Sequence, residues 1–350
     1  MKITLCSPAQ GETVDLLTAE HRAMLSGKHL AQVDNDLDWT NLKQKGTEKS
    51  YPQPVCFAWT ADQEGMPDEA YFELSLSRDS DFVQTKKLYF DPDIRKAEVY
   101  NFSAGCDYYW KVSAVNRSDG KAEYARSSAG RFFTKDDVPT LYRVDGLTNI
   151  RDIGGWRTFD GRRVKRGMIF RGSEMDTHHQ LTEAGRKALI DDLRIRTDLD
   201  LRGEAVGKIS ESPIGADVRF ELLPVKAYAE FLEPERFGEC RDVFSLLTDE
   251  TAYPIYLHCW GGADRSGTVV LLLNGLMGVD DESLLLDYEM TMFSVWGERS
   301  RYSDLFTGLL KELDRYGGEN QPLRIKAENY LRRAGVTDSQ ITKLRSLLIE

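Results

Sequence analysis

Long apolar runs are missing from this 350-residue chain. The longest, around Val269 to Leu273, is followed at once by Asn274 and Gly275. It falls far short of the ~20 residues that cross a bilayer, so it reads as a buried helix rather than a membrane span. Paired cysteines are missing too. Cys6, Cys56, Cys106, Cys240 and Cys259 are odd in number and form no Cys-x-x-Cys pair, which argues against a disulfide framework and a cysteine-rich zinc site. Histidine is scarce, and His178 and His179 have no second pair of metal-binding residues near them in sequence, so no metal and no cofactor are expected. Excess positive charge is lacking. The net charge is -11, spread over both halves, which argues against a nucleic-acid partner. The first residues, Met1-Lys2-Ile3-Thr4-Leu5-Cys6-Ser7-Pro8, lack the apolar core of a signal peptide. The cytoplasm is therefore the default expectation, with a secreted or periplasmic location open if a leader has been removed.

What is present is an ordinary globular composition, 41% hydrophobic and 29% charged, long enough for two domains. The first part reads mainly as β. Strands are expected at 54–59, 71–76, 108–115 and 130–134, separated by polar turns at 62–68, 77–81 and 116–120. Several short strands with turn signals between them predict an all-β sandwich. A stretch near 16–30 has helical spacing and reads as a helical insertion. Trp59 and Trp110 are expected in the core, with carbohydrate stacking as the other use for such rings. Lys135-Asp136-Asp137-Val138-Pro139 is a polar linker ending in proline, so the boundary is placed at 138/139. After it the pattern turns to mixed α/β: strands at 168–171, 197–202, 219–223 and 256–258, and helices at 181–193, 266–277, 281–292, 302–315, 322–334 and 338–348.

The sequence His258-Cys259-Trp260-Gly261-Gly262-Ala263-Asp264-Arg265-Ser266-Gly267-Thr268 lies between an expected strand and an expected helix. That setting suits a loop that wraps an anion in backbone N–H groups. The nest of N–H groups, the positive end of the helix dipole and the Arg265 charge all favour a thiolate at Cys259. The Ser266 hydroxyl can donate to the sulfur. Trp260, Gly261, Gly262, Ala263 and Ser266 form the expected phosphate cradle, and Gly261, Gly262 and Gly267 keep side chains out where the backbone must approach or turn. Arg265 offers a planar fork that matches phosphoryl oxygens, which a lysine would not. His258 is expected to orient Cys259 through hydrogen bonds.

Cys259, five intervening residues and Arg265, with His258 before and Ser266 after, resemble the signature loop of the cysteine-based protein tyrosine phosphatase superfamily. More of the chain resembles one branch, the bacterial tyrosine/serine phosphatases. Asn149-Ile150-Arg151-Asp152-Ile153-Gly154-Gly155-Trp156 leads into Gly161-Arg162-Arg163-Val164-Lys165-Arg166-Gly167-Met168-Ile169-Phe170-Arg171-Gly172-Ser173, and then come Leu181-Thr182-Glu183-Ala184-Gly185 and Asp200-Leu201-Arg202. The resemblance covers about 145–290. It implies an α/β domain with a central sheet flanked by helices over 139–350, and hydrolysis of phosphate monoesters through a cysteinyl-phosphate. Ala263 departs from the lysine that many members carry there, which argues against a polyphosphorylated inositol substrate. Asp264 matches, and the resemblance makes it the candidate acid. Over 55–135 the tryptophan placement resembles a fibronectin type III or immunoglobulin-like module, which makes the 1–138 sandwich a spacer or a contact surface for a partner or a glycan.

Asp200 is expected to brace the site by pairing with an arginine, and to be the acid only if Asp264 is not. Arg151, Asp152 and Arg202 are expected to tie neighbouring segments to the loop or to touch substrate. Tyr228 and Phe231 are read either as packing or as the mouth of the pocket. The leading function is a protein tyrosine phosphatase, with dual specificity open, acting on a phosphorylated protein or small phosphate ester. A phosphoinositide phosphatase on the same loop and an inactive phosphatase-like binding module are the alternatives. Arsenate reduction or sulfur transfer would need a resolving cysteine, and Cys240 is the one near in sequence.

Overall fold

The structure is a computed structural model and describes residues 1–27, 45–62, 67, 70–116, 122–203 and 210–350. The chain forms two compact units, one from Met1–Thr18 and Pro52–Asp137, the other from Ala19–Tyr51 and Val138–Glu350.

The first unit has two sheets. One runs β1 (Ile3–Ser7), β3 (Val55–Ala61), β6 (Lys96–Val99), all antiparallel. The other runs β2 (Glu12–Val14), β9 (Gly130–Thr134), β7 (Asp107–Asn116), β4 (Ala70–Ser77), β5 (Thr85–Phe90), with β8 (Glu123–Arg126) also on β7. Alternation decides the interior: Phe57 and Trp59 from the first sheet meet Phe72, Leu74, Trp110, Val112 and Phe132 from the second. Phe57 stands edge-on to Trp110 with centroids 5.0 Å apart. Trp59 and Trp110 are buried, so neither offers its ring to a glycan. Strands β1, β2, β5, β6 and β8 were not expected. Thr85-Lys86-Lys87-Leu88-Tyr89-Phe90 is an edge strand whose lysines face water, and such charged edges weaken the sequence pattern while they block edge pairing. The turns expected at 62–68 and 116–120 fall largely outside the described residues.

The helical segment expected within the sandwich contributes Ala19–Leu25 to the second unit instead, and 28–30 lie outside the described residues. His21 explains the preference: it is buried edge-on to Phe293 at 4.6 Å and bonds Lys49 O at 2.9 Å.

The second unit is built on a five-stranded sheet. Its strands in chain order are β10 (Arg151–Asp152), β11 (Ile169–Gly172), β12 (Thr197–Asp200), β13 (Arg219–Leu222) and β14 (Ile255–His258), and their order in the sheet is β10-β11-β14-β12-β13. All but β10 are parallel. Short, wholly buried strands such as Ile255-Tyr256-Leu257-His258 are what a sheet covered on both faces requires. The helix Asp264–Met277 is buried on every side from Ser266 to Met277, which marks a central helix rather than an amphipathic surface one. It ends at Gly278, whose φ of +91° closes the helix with a left-handed cap. The remaining helices run Phe237–Leu246, Asp281–Glu289, Asp304–Asp314, Leu323–Ala334 and Asp338–Leu348. The expected 181–193 helix is shorter, Glu183–Lys187 with a wider turn at Ala188–Asp192, and Thr182 caps it by accepting from Gly185 N–H. No helix among the described residues is long and apolar enough to cross a membrane.

Candidate active site

Parallel register brings the site together. Gly172, His258 and Asp200 lie side by side on β11, β14 and β12. The carboxyl ends of these strands therefore deliver Arg171, Cys259 and Arg202 to one rim, where open α/β sheets place their sites. From His258 the chain turns through the loop and enters the helix at Asp264. Among the described residues, the N–H groups of 260–266 donate to no protein acceptor, and the first bond back into the helix is Gly267 N–H to Ala263 O at 2.9 Å. A run of N–H groups left without acceptors at a helix N-terminus suits an anion.

Close packing sets the shape of this loop. Gly262 has φ +64°, and a Cβ there would sit 2.2 Å from the Gly172 carbonyl oxygen. A Cβ on Gly261 would sit 2.7 Å from the Trp296 ring. Two buried arginines hold the outward-facing carbonyls. Arg171 donates to Gly262 O at 2.7 Å and to Ala263 O at 3.1 Å. Asn149 Nδ2 donates to Gly261 O at 2.9 Å, and Arg151 donates to Asn149 Oδ1 at 2.6 Å. Asp287 joins both arginines, at 2.9 Å from Arg151 Nε and 2.6 Å from Arg171 Nη1. The carbonyls of Gly261, Gly262 and Ala263 are thus each held by a side-chain donor.

Cys259 is buried at 3% exposure. His258 bonds Asp198 Oδ1 through Nε2 at 2.9 Å and reaches the Cys259 carbonyl through Nδ1 at 3.4 Å. Arg265 donates its Nε to Val225 O at 3.0 Å, and among the described residues no carboxylate pairs with its guanidinium. That leaves its terminal nitrogens for an anion. Ser266 Oγ is buried without a partner among the described residues, so the expected bond to the Cys259 sulfur is not formed.

The other expected residues divide. Asp200 takes Arg202 Nε at 3.0 Å and Nη2 at 2.8 Å. Arg202 also reaches Asp176 at 2.7 Å and lies 5.1 Å over the Trp260 ring. Asp152 differs from expectation: its carboxylate accepts from Gly154 and Gly167 N–H and so braces the turn into β11. Phe231 is fully buried beside Tyr330 rather than at a pocket mouth. Tyr228 instead lines two cavities, of about 390 and 560 Å³, which contain Arg265 and Asp264 respectively. Cys240 is buried, which pushes its thiol up to about 12.

Asp264 accepts from the Tyr228 hydroxyl and from Arg299, whose Nε lies 2.8 Å from Oδ1 and Nη2 3.3 Å from Oδ2. Glu174 receives four successive N–H groups, from Asp176, Thr177, His178 and His179. It thereby presents His178 edge-on to Trp260 at 5.0 Å and His179 to Trp296 Nε1 at 3.1 Å. Among the described residues no three His, Cys, Asp or Glu side chains converge as metal ligands would. Sequence reasoning missed Glu174, Asp287, Tyr288, Trp296 and Arg299 at the site. None carries a local motif, and each reaches the loop through tertiary contacts.

Known proteins resemble this chain in part. A Cupriavidus necator protein named as a tyrosine-protein phosphatase is 24% identical over 171 residues, spanning 41% of this chain and 60% of its own length. The triple specificity protein phosphatase PtpB of Mycobacterium tuberculosis is 27% identical over 182 residues, spanning 45% of this chain and 64% of its own. The chain thus spans about three fifths of the curated relatives it matches. Among solved structures, the core catalytic domain of the PP-IP phosphatase SIW14 from S. cerevisiae aligns with TM-score 0.27 and 15% identity, over 36% of this chain and 71% of that one. Chicken CNTN1 FN1-FN3 domains align with TM-score 0.21 and 10% identity, over 48% and 45%. The model of the tyrosine phosphatase family matches residues 142–350, more than half of the sequence, and the chain belongs to that family.

Proposed function

We propose that the protein is a cysteine-dependent phosphomonoester hydrolase acting on phosphotyrosine, with dual specificity as its widest range. The carrying observation is the fan of unpartnered N–H groups at 260–266 around Cys259, closed by an Arg265 that has no carboxylate partner among the described residues. Cys259 attacks phosphorus, and the S–P bond forms as the ester P–O bond breaks. Arg265 and the N–H groups of Trp260, Gly261, Gly262, Ala263 and Ser266 hold the equatorial oxygens as charge shifts onto them. Asp264 protonates the leaving oxygen, and water then cleaves the S–P bond and releases phosphate. The Ser266 hydroxyl, buried and unpartnered, is free to stabilise the departing thiolate. His258, Asp200, Arg202 and Arg151 hold the frame. An aryl substrate is supported by the cavity of about 560 Å³ beside Asp264, with Tyr228, Tyr288, Tyr302 and Leu305 in its wall.

For the first unit we propose a fibronectin type III-like module that serves as a contact surface. A three-stranded sheet β1-β3-β6 facing a sheet with β2 parallel to β9 supports this.

Phosphate release from para-nitrophenyl phosphate in EDTA tests the main reading. Activity is expected in the parent and a loss of more than about a thousandfold in Cys259→Ser. Full activity in Cys259→Ser would refute the covalent route, and phosphopeptide binding without turnover in the parent would favour an inactive binding module.

A further inference from the structure

The segment after β13 is tied to the first turn of the Asp264–Met277 helix at three points. Val225 O accepts from Arg265 Nε at 3.0 Å, Tyr228 N–H donates to Thr268 Oγ1 at 2.9 Å, and the Tyr228 hydroxyl donates to Asp264 Oδ1. Thr268 Oγ1 in turn donates to the Asp264 carbonyl at 2.9 Å. Tyr228 holds φ at +56°, a left-handed conformation that a residue with a Cβ rarely adopts. Such strain persists where the surroundings over-determine it, and it clusters at functional sites.

The Tyr228 hydroxyl has a second neighbour, the Tyr288 hydroxyl at 2.9 Å. Because Tyr228 spends its proton on Asp264, Tyr288 is the donor of that second bond, which gives a chain Tyr288 to Tyr228 to Asp264. Burial, then the charge Asp264 carries once its proton has been given up, raise the Tyr228 phenol well above its ordinary value, so it stays a donor throughout the neutral range. Arg299 also donates to Oδ1, which among the described residues leaves Oδ2 with the 3.3 Å contact from Arg299 Nη2.

We propose that Tyr228 is a positioning residue for phosphoryl transfer: backed by Tyr288, it fixes Oδ1 of Asp264 so that Oδ2 faces the leaving oxygen. This rests on the reading of Cys259 as nucleophile and Asp264 as acid. As the S–P bond forms, the electron pair of the breaking P–O bond goes to the ester oxygen, which takes its proton from Oδ2. The carboxylate left behind keeps its bonds from Tyr228 and Arg299. The following water returns a proton to Oδ2 as it attacks phosphorus and the S–P pair goes back to sulfur.

Leaving-group dependence tests this, because an ester whose leaving group is already stable as an anion needs no proton. kcat/KM is measured at one pH on phenyl, para-nitrophenyl and 2,4-dinitrophenyl phosphate for the parent, Cys259→Ser, Asp264→Asn, Tyr228→Phe and Tyr288→Phe. Asp264→Asn is expected to lose about a hundredfold on the phenyl ester and little on the dinitrophenyl ester. Tyr228→Phe is expected to lose about tenfold and less than about twofold on the same pair. Tyr288→Phe, which leaves the ties to Val225 and Thr268 intact, is expected to follow the same trend with a smaller loss. Equal losses on all three esters, or none, in both tyrosine variants overturn the proposal while Asp264 keeps its role. A flat profile in Asp264→Asn, or turnover in Cys259→Ser, overturns the underlying reading and this proposal with it.

Discussion

His258 stands one residue before the candidate nucleophile and faces Asp198 at 2.9 Å and Asp200 at 3.9 Å. Burial by itself lowers its basicity, but the Asp198 charge and hydrogen bond and the Asp200 charge outweigh it and raise the imidazole to about 9. The folded protein therefore retains a proton that the unfolded chain releases near its ordinary value of about 6.5. The stabilisation is fully present below about pH 6.5 and is lost as pH rises through about 9, on the order of 3 kcal/mol in all. Thermal melts of the parent are expected to fall across that window, and Asp198→Asn is expected to start lower and decline less steeply. An equal slope in both proteins would remove His258 from the account. Sequence disclosed His258 because it adjoins Cys259, whereas Asp198, on another strand, came to light only through the sheet register.

Among elements, the loop depends on β10, β11 and the helix Asp281–Glu289 through Arg151, Arg171 and Asp287. All three side chains are buried, and each arginine has a carboxylate oxygen of Asp287 within 2.9 Å. Burial lowers the Arg171 guanidinium to about 10, with the neighbouring Arg151 charge adding to the effect and Asp287 opposing it. Removing one partner of such a group leaves an uncompensated buried charge, at a cost of about 3–5 kcal/mol. Asp287→Asn is accordingly expected to lower the unfolding free energy by that amount in urea titration, and to release the Gly262 and Ala263 carbonyls that Arg171 holds. A change below about 1 kcal/mol would show that the arginines find other partners. Arg151 was legible as a brace because it stands in an ordered string of motifs. Asp287 was not, since one aspartate in a helix has the same sequence signal whether it faces water or two cations. Asp152 illustrates the reverse error: its neighbour Arg151 points to the loop, but successive residues of a strand point to opposite faces.

In the whole molecule, the phosphatase unit is assembled from two stretches of chain. Residues of 45–51 lie along the segment that carries Trp296: Gly46 N–H donates to Val295 O and Lys49 N–H to Phe293 O, both at 2.7 Å. Ser50 Oγ accepts from Asn149 N–H at 2.9 Å, and Asn149 is the residue that holds the Gly261 carbonyl. A fragment of 139–350, cut at the boundary the linker suggests, lacks these bonds. It is expected to melt at least several degrees below the full chain, with a lower kcat/KM on para-nitrophenyl phosphate. Equal melting and equal activity would show that 19–51 is dispensable. A proline-ended polar linker reads as a boundary from composition alone, whereas a segment more than ninety residues upstream that packs into the second unit has no such mark.

The sequence by itself determined the candidate nucleophile Cys259, the candidate anion-binding Arg265, the glycines of the loop and the strand-to-helix frame around them, because these are local: a chain suited to wrap an anion needs fixed residue types at fixed spacing. It also determined the alternating interior of the sandwich strands, since a period of two is written in consecutive residues. The tertiary structure decided what holds the loop and which groups donate to Asp264, the proposed acid. Glu174, Tyr228, Asp287, Trp296 and Arg299 act through distances of a few ångströms between residues far apart in the chain, and a hydrogen bond depends on that separation in space, which residue order leaves open until the chain is folded.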